Sequence, residues 1–159
     1  MKQVNRLASG SCTDSSQLIN FTFNGKKLQG VAGDTLASAL LANGVNVVGR
    51  SFKYSRPRGI VGHGAEEPNA IMQIGSGAAT VPNLKATQVE LYEGLEAASV
   101  NGWPSVNFDL MRITGWFGRL MPPGFYYKTF MYPAKLWMTY EHFIRKAAGL
   151  GRAPVQDDP

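Results

Sequence analysis

The residues best equipped for chemistry lie in one stretch, SRPRGIVGHGAEEPNAI, from Ser55 to Ile71. It holds three glycines, two arginines, one histidine and two glutamates within 17 residues. Four chemistries are conceivable for such a loop. His63 with Glu66 and Glu67 could ligate a metal, but zinc sites use several closely spaced Cys or His, and the chain has only two histidines, His63 and His142. Gly62-His63-Gly64 opens like a dinucleotide fingerprint, yet position 67 is Glu, and no Lys-Ser/Thr follows to make a P-loop. RSFKYSRPRG interleaves Arg50, Lys53, Arg56 and Arg58 with Phe52 and Tyr54, the cation and ring pattern that single-stranded nucleic acid uses. Glu66 and Glu67 are adjacent, so their side chains point apart rather than facing each other as an acid–base pair. They are expected to be solvated or paired with Arg56 or Arg58. No nucleophile elbow or H-E-x-x-H motif is present, and catalysis is the least supported of these readings.

The elements around the loop are legible from pattern. LINFTF (18–23) alternates with Ile19, Phe21 and Phe23 on one side, as a half-buried strand does. Asn24-Gly25 follows, a dipeptide suited to a two-residue hairpin turn, and the return strand is expected over Lys27 to Val31. AGDTLASALLANGV then reads as a helix from about Thr35 to Asn43, with Asp34 as N-cap and Asn43-Gly44 as the left-handed stop. Val45 to Val48 is a candidate short strand. NAIMQIG (69–75) and LKATQVELY (84–92) are expected strands, separated by a Gly/Ala/Thr-rich turn. Hairpin, helix, loop, strand and strand make a small α+β domain, most simply a β-grasp sheet with the helix across it.

Beyond residue 100 the texture changes. All three tryptophans, Trp103, Trp116 and Trp137, lie there with many other aromatics, interrupted by Pro122-Pro123-Gly124 and Pro133. Leu136, Trp137, Tyr140, Phe143, Ile144 and Ala147 mark a helical stripe over about 134–148. So much apolar material on irregular backbone must pack on something, either the first domain or another domain or subunit. The expected organisation is a flexible arm (1–17), a compact domain (18–98), an aromatic docking segment (99–150) and a linker (151–159).

Composition sets outer bounds. The chain has 159 residues, 44% hydrophobic, 17% charged, with net charge +5. That is enough for one core, with a surface that favours acidic partners. Cys12 is the single cysteine, so neither an internal disulfide nor a cysteine-based metal site can form within the chain. No signal-peptide pattern and no 18-residue apolar run are evident, and a cytoplasmic location without membrane association is expected.

The run from Leu18 to Gly75 resembles the N-terminal region of the α subunit of heterotetrameric sarcosine oxidase. GDTLASALLANGV, GRSFKYSRPRGI and AEEPNA carry the resemblance, and PNLKATQVELYEGL, GFYYKTFMYP and AAGLGRAP extend it to Pro154. Related domains occur in opine, octopine and cyanide-forming dehydrogenase systems. The resemblance implies a β-grasp fold like that of plant-type 2Fe-2S ferredoxins. In cluster-binding relatives this loop carries three cysteines, with a fourth after the next hairpin. The corresponding positions here are approximately Gly62, Glu66, Asn69 and Ala86, none of them Cys, so no cluster and no electron transfer are expected. The resemblance further implies a holoenzyme that oxidises sarcosine to glycine with FAD, FMN and NAD, tetrahydrofolate taking up the one-carbon unit, the chemistry lying in other parts of the assembly. The family's α subunit continues into a Gly-rich dinucleotide-binding region, so the chain is expected to be a fragment or short product that docks on the rest of the α subunit and the other subunits. No catalytic, cofactor or metal residue is assigned to it. Arg56, Arg58, Trp103, Trp116, Tyr126, Tyr127 and Trp137 are its candidate interface or loop-pinning residues. The alternative is an independent basic module binding single-stranded nucleic acid through Arg50 to Arg58.

Overall fold

The computed structural model describes residues 3–9, 13–117, 124, 132–151, 154 and 156. Among these, the sheet begins with β1 (Asp14–Phe23) and β2 (Lys26–Ala32), antiparallel and joined at Asn24-Gly25. Both turn residues have positive φ, 50° and 75°, the backbone that matches the twist of a two-residue hairpin. β1 starts at Asp14 rather than Leu18, so the end of the arm expected over 1–17 enters the sheet. Further upstream the Asn5 N–H bonds the Ala42 carbonyl at 3.1 Å, and Arg6 pairs with Asp34.

Helix α1 (Leu36–Ala42) buries Leu36, Ala37, Ala39 and Leu40 against the sheet. Its cap is Thr35, not Asp34: Thr35 and Ser38 form a reciprocal capping box. Asp34 sits one residue earlier, fully buried, accepting from the Val31 N–H at 3.0 Å and the Ser38 hydroxyl at 2.8 Å. The helix stops at Gly44, φ 75°. Val45 to Val48 form no strand. They lead into the short pair β3 (Gly49–Arg50) and β4 (Pro57–Arg58).

β5 (Ile71–Ile74) and β6 (Val81–Lys85) follow. The strand expected over 84–92 ends at Lys85. Beyond it the chain crosses the N-terminus of α1, where the Ala86 and Val89 carbonyls accept from the Ala37 and Leu36 N–H groups at 3.0 and 2.8 Å. These amides have no partner inside the helix, and that demand outweighs the local alternation. The next strand is β7 (Leu95–Ser99), absent from the sequence reading. It pairs parallel with β1 and antiparallel with β5, giving the mixed order β2-β1-β7-β5-β6 among the described residues. Phe21, Leu28, Leu36, Leu40, Val48, Met72, Ala86, Leu91 and Leu95 form the core between sheet and helix.

After β7 come the short helix α2 (Ile113–Trp116) and, past a 3-10 turn at Ala134–Leu136, helix α3 (Trp137–Ala148), which ends at Gly149 in the left-handed conformation. No described helix is long and apolar enough to cross a membrane.

Leu40 is fully buried at the centre of the helix–sheet contact. Leu40→Ala is expected to lower the unfolding free energy by about 2–5 kcal/mol, read as a reduced urea midpoint with an unchanged slope.

Candidate functional site

The loop from Val61 to Ala70 is built around two carboxylates. Glu67 has no solvent exposure. Its Oε2 accepts from the successive N–H groups of Val61 (2.8 Å) and Gly62, and its Oε1 from those of Asn69 (2.7 Å) and Ala70 (3.2 Å). Glu66 is outermost, its Oε1 accepting from His63 and Gly64 at 2.9 and 3.0 Å. Pairs of successive amides pointing at one oxygen are anion-binding nests. The glycines make the approach feasible. A Cβ at Gly62 would lie 3.1 Å from both Glu66 Oε1 and Glu67 Cα, and one at Gly64 would lie 2.7 Å from Glu66 Oε2. The Thr87 hydroxyl donates to the Gly64 carbonyl at 2.7 Å, and Lys85 Nζ to that of Ala65, tying the loop to the end of β6.

Burial pushes the Glu67 carboxyl up, but its four backbone donors outweigh this and hold it below the ordinary value. The N–H of His63, with further backbone donors, lowers Glu66 from 4.5 to about 2. Both glutamates bond backbone and neither pairs with Arg56 or Arg58, because the loop folds back and aims its amides inward; Glu66 is solvated, as one of the two expectations had it, and faces His63, while Glu67 is not solvated.

A second buried network joins the loop Arg50–Arg58 to the segment after β7. Ser55, itself at φ 49°, donates its hydroxyl to Asp109 Oδ2, while Asp109 Oδ1 accepts from the N–H groups of Trp103 (3.0 Å) and Met111 (3.1 Å). Burial raises the Asp109 carboxyl, and these donors together with Arg50 bring it below its usual value. Arg50 donates to the carbonyls of Val106 (2.7 Å), Ser55 (3.0 Å) and Asn107 (3.3 Å).

The remaining candidates are spread out. Arg58 donates to Asn69 Oδ1 at 2.6 Å, linking β4 to the loop. Arg56 lies over the Tyr54 ring, 4.9 Å from its centroid. Ala86 is fully buried against α1. Trp103 and Trp116 are 67% and 81% exposed, and Trp137 is half-buried at the start of α3. Tyr126 and Tyr127 lie outside the described residues, as does Cys12. The four cations in the proposed nucleic-acid grip all have partners within the chain: Arg50 and Arg58 hydrogen-bond, and Lys53 and Arg56 lie over the Tyr54 ring. Glu67, Ser55 and Asp109 are the residues that sequence reasoning missed as a set. The usable signal for Glu67 was a carboxylate close to the glycines Gly62 and Gly64.

Because these carboxyls titrate lower in the fold than in an unfolded chain, their contribution is complete above about pH 4.5 and is lost as pH falls through the folded values. The urea midpoint is expected to drop as pH falls from about 4.5 towards about 2, and Glu67→Gln to flatten that drop. Asp109→Ala removes three hydrogen bonds at once. It is expected to speed proteolysis within 103–112 by about tenfold or more, the equivalent of one lost charge-assisted bond.

Residues 16–102 match the family model described as a 2Fe-2S iron-sulfur cluster binding domain. The chain is 55% identical to the sarcosine oxidase subunit alpha of Rhizobium meliloti (strain 1021), over 97% of this chain and 16% of that protein. With the same subunit of Corynebacterium sp. (strain U-96) it shares 38% identity over 59% of this chain and 10% of that protein. A crystal structure of L-proline dehydrogenase from P. horikoshii aligns at TM-score 0.41 and 24% identity, covering 52% of this chain and 15% of that one. The chain thus spans about a sixth or less of the length of these curated relatives. A cluster of the family's type needs four thiolates. The residues present do not fit one: the only cysteine is Cys12, and Gly62, Glu66, Asn69 and Ala86 offer no sulfur. The inward donors of the loop are engaged by carboxylates, in space that side chains at Gly62 and Gly64 would enter. The chain belongs to the 2Fe-2S iron-sulfur cluster binding domain family, is homologous along nearly all its length to the N-terminal region of the sarcosine oxidase α subunit, and lacks the family's cluster ligands.

Proposed function

We propose that this chain is the N-terminal structural domain of a sarcosine oxidase α subunit, one that docks on the rest of that subunit and carries no chemistry of its own. The observation that carries this reading is the 55% identity over 97% of the chain to a sarcosine oxidase subunit about six times its length. In the assembled enzyme, sarcosine would be oxidised to glycine at flavin, with FAD, FMN, NAD and tetrahydrofolate all held elsewhere. The ligand-free loop supports a non-redox role, since nothing in it can accept an electron. The segment after β7 supports docking: Trp103, Phe108, Ile113, Trp116 and Phe117 are exposed large apolar side chains close together in sequence. Large aromatics are the usual anchors of such contacts. The Arg50–Asp109 network would hold that segment in place for its partner, and Trp137 is a further candidate contact.

The purified 159-residue protein is expected to show no sarcosine-dependent oxygen uptake with any of the four cofactors added. Turnover by the chain alone would overturn the reading. Supplied in trans to the α subunit truncated before this region, it is expected to bind. Trp103→Ala and Trp116→Ala should each weaken that binding by about tenfold or more, on the order of 1.4 kcal/mol or above, measured by calorimetry.

A further inference from the structure

The family is named for an iron–sulfur cluster, and this chain has kept the loop while lacking the ligands. Two facts say what the loop now holds. Its inward amides come as two successive pairs, Val61–Gly62 and Asn69–Ala70, and each pair takes one oxygen of the same carboxylate. Among the described residues no Lys, Arg or His forms an ion pair with Glu67, the ion pairs being those of Asp34, Glu66 and Glu141. The basic side chains that touch this loop have other partners, Arg58 with Asn69 Oδ1, Lys85 with the Ala65 carbonyl and His63 with Glu66. The Glu67 carboxylate thus meets four backbone N–H donors and no ion-pair partner among the described residues, as a bound anion does in a nest.

We propose that the loop Val61–Ala70 is an anion-binding site whose resident anion is the Glu67 side chain, so that the loop is closed by a carboxylate instead of a metal cluster. A planar monoanion with two oxygens is the ligand class it takes. A neutral group of the same size meets four donors with too few lone pairs in the right place. Freed of the side chain, the nest accepts a small carboxylate from solution. This does not depend on the docking role, because it is read on the chain by itself.

The test is chemical rescue. Glu67→Ala is expected to lower Tm by about 10 °C, and formate at about 50 mM to restore at least a third of that loss. Sodium chloride at equal ionic strength should restore less. Wild-type Tm should not respond to formate. A variant that melts like the wild type, or a formate effect equal in wild type and variant, overturns the proposal. If Glu67→Ala does not fold, Glu67→Gln serves instead. It keeps the volume but turns an NH2 group toward one amide pair, and should increase exchange at two of the four amides by about tenfold or more. Unchanged exchange overturns the proposal. Anaerobic reconstitution of the wild type with ferric iron and sulfide is expected to give no 2Fe-2S absorption, and a stoichiometric cluster overturns it.

Discussion

A buried carboxylate has to recover in hydrogen bonds what it loses in hydration. Glu67 does so entirely with backbone, and that requirement shapes everything around it. Four amides from two separated strips of chain must face the same point, so the loop must fold back on itself between Gly62 and Asn69. The fold-back brings the Gly64 and Ala65 carbonyls toward the end of β6, where Thr87 and Lys85 donate to them. It also sets Asn69 where Arg58 can reach it, which fixes the loop to β4. The core strand β5 starts one residue after the last amide of the set.

Two further buried acids hold irregular segments, with side-chain as well as backbone donors. Asp34 joins β2, the start of α1 and Arg6 of the N-terminal segment. Asp109 joins the segment after β7 to Ser55. Among the described residues no buried side-chain polar atom lacks a partner. The structure is therefore a conventional sheet–helix core with its irregular connections fixed by three buried acids, Asp34, Glu67 and Asp109. A loop that answers to a side chain can stay folded without metal, which suits a domain whose proposed work is to be docked upon.

Legibility from sequence followed the range of the interactions. The hairpin at Asn24-Gly25, the helix and β5 rest on local pattern, and the structure has them within a few residues. β7 was invisible because LEAAS has little strand character, and its place is set by pairing with β1, some 74 residues away. The strand expected over 84–92 failed for the same reason in reverse: good alternation yielded to the open amides of α1. At the site, the glycines pointed to close approach, and the absent cysteines to missing cluster ligands. What sequence could not give was the identity of the occupant. Glu66 and Glu67 look equivalent in the string, yet one lies outside and the other is fully enclosed. Only the three-dimensional path of Val61, Gly62, Asn69 and Ala70 separates them.

The central claim is that one carboxylate is bound by those four amides, and NMR reads it most directly. The carboxyl carbon of Glu67 should titrate below the ordinary glutamate range, and the amide protons of Val61, Gly62, Asn69 and Ala70 should shift upfield together with it as the carboxyl gains its proton. An ordinary glutamate titration, with those four amides indifferent to it, would contradict the account.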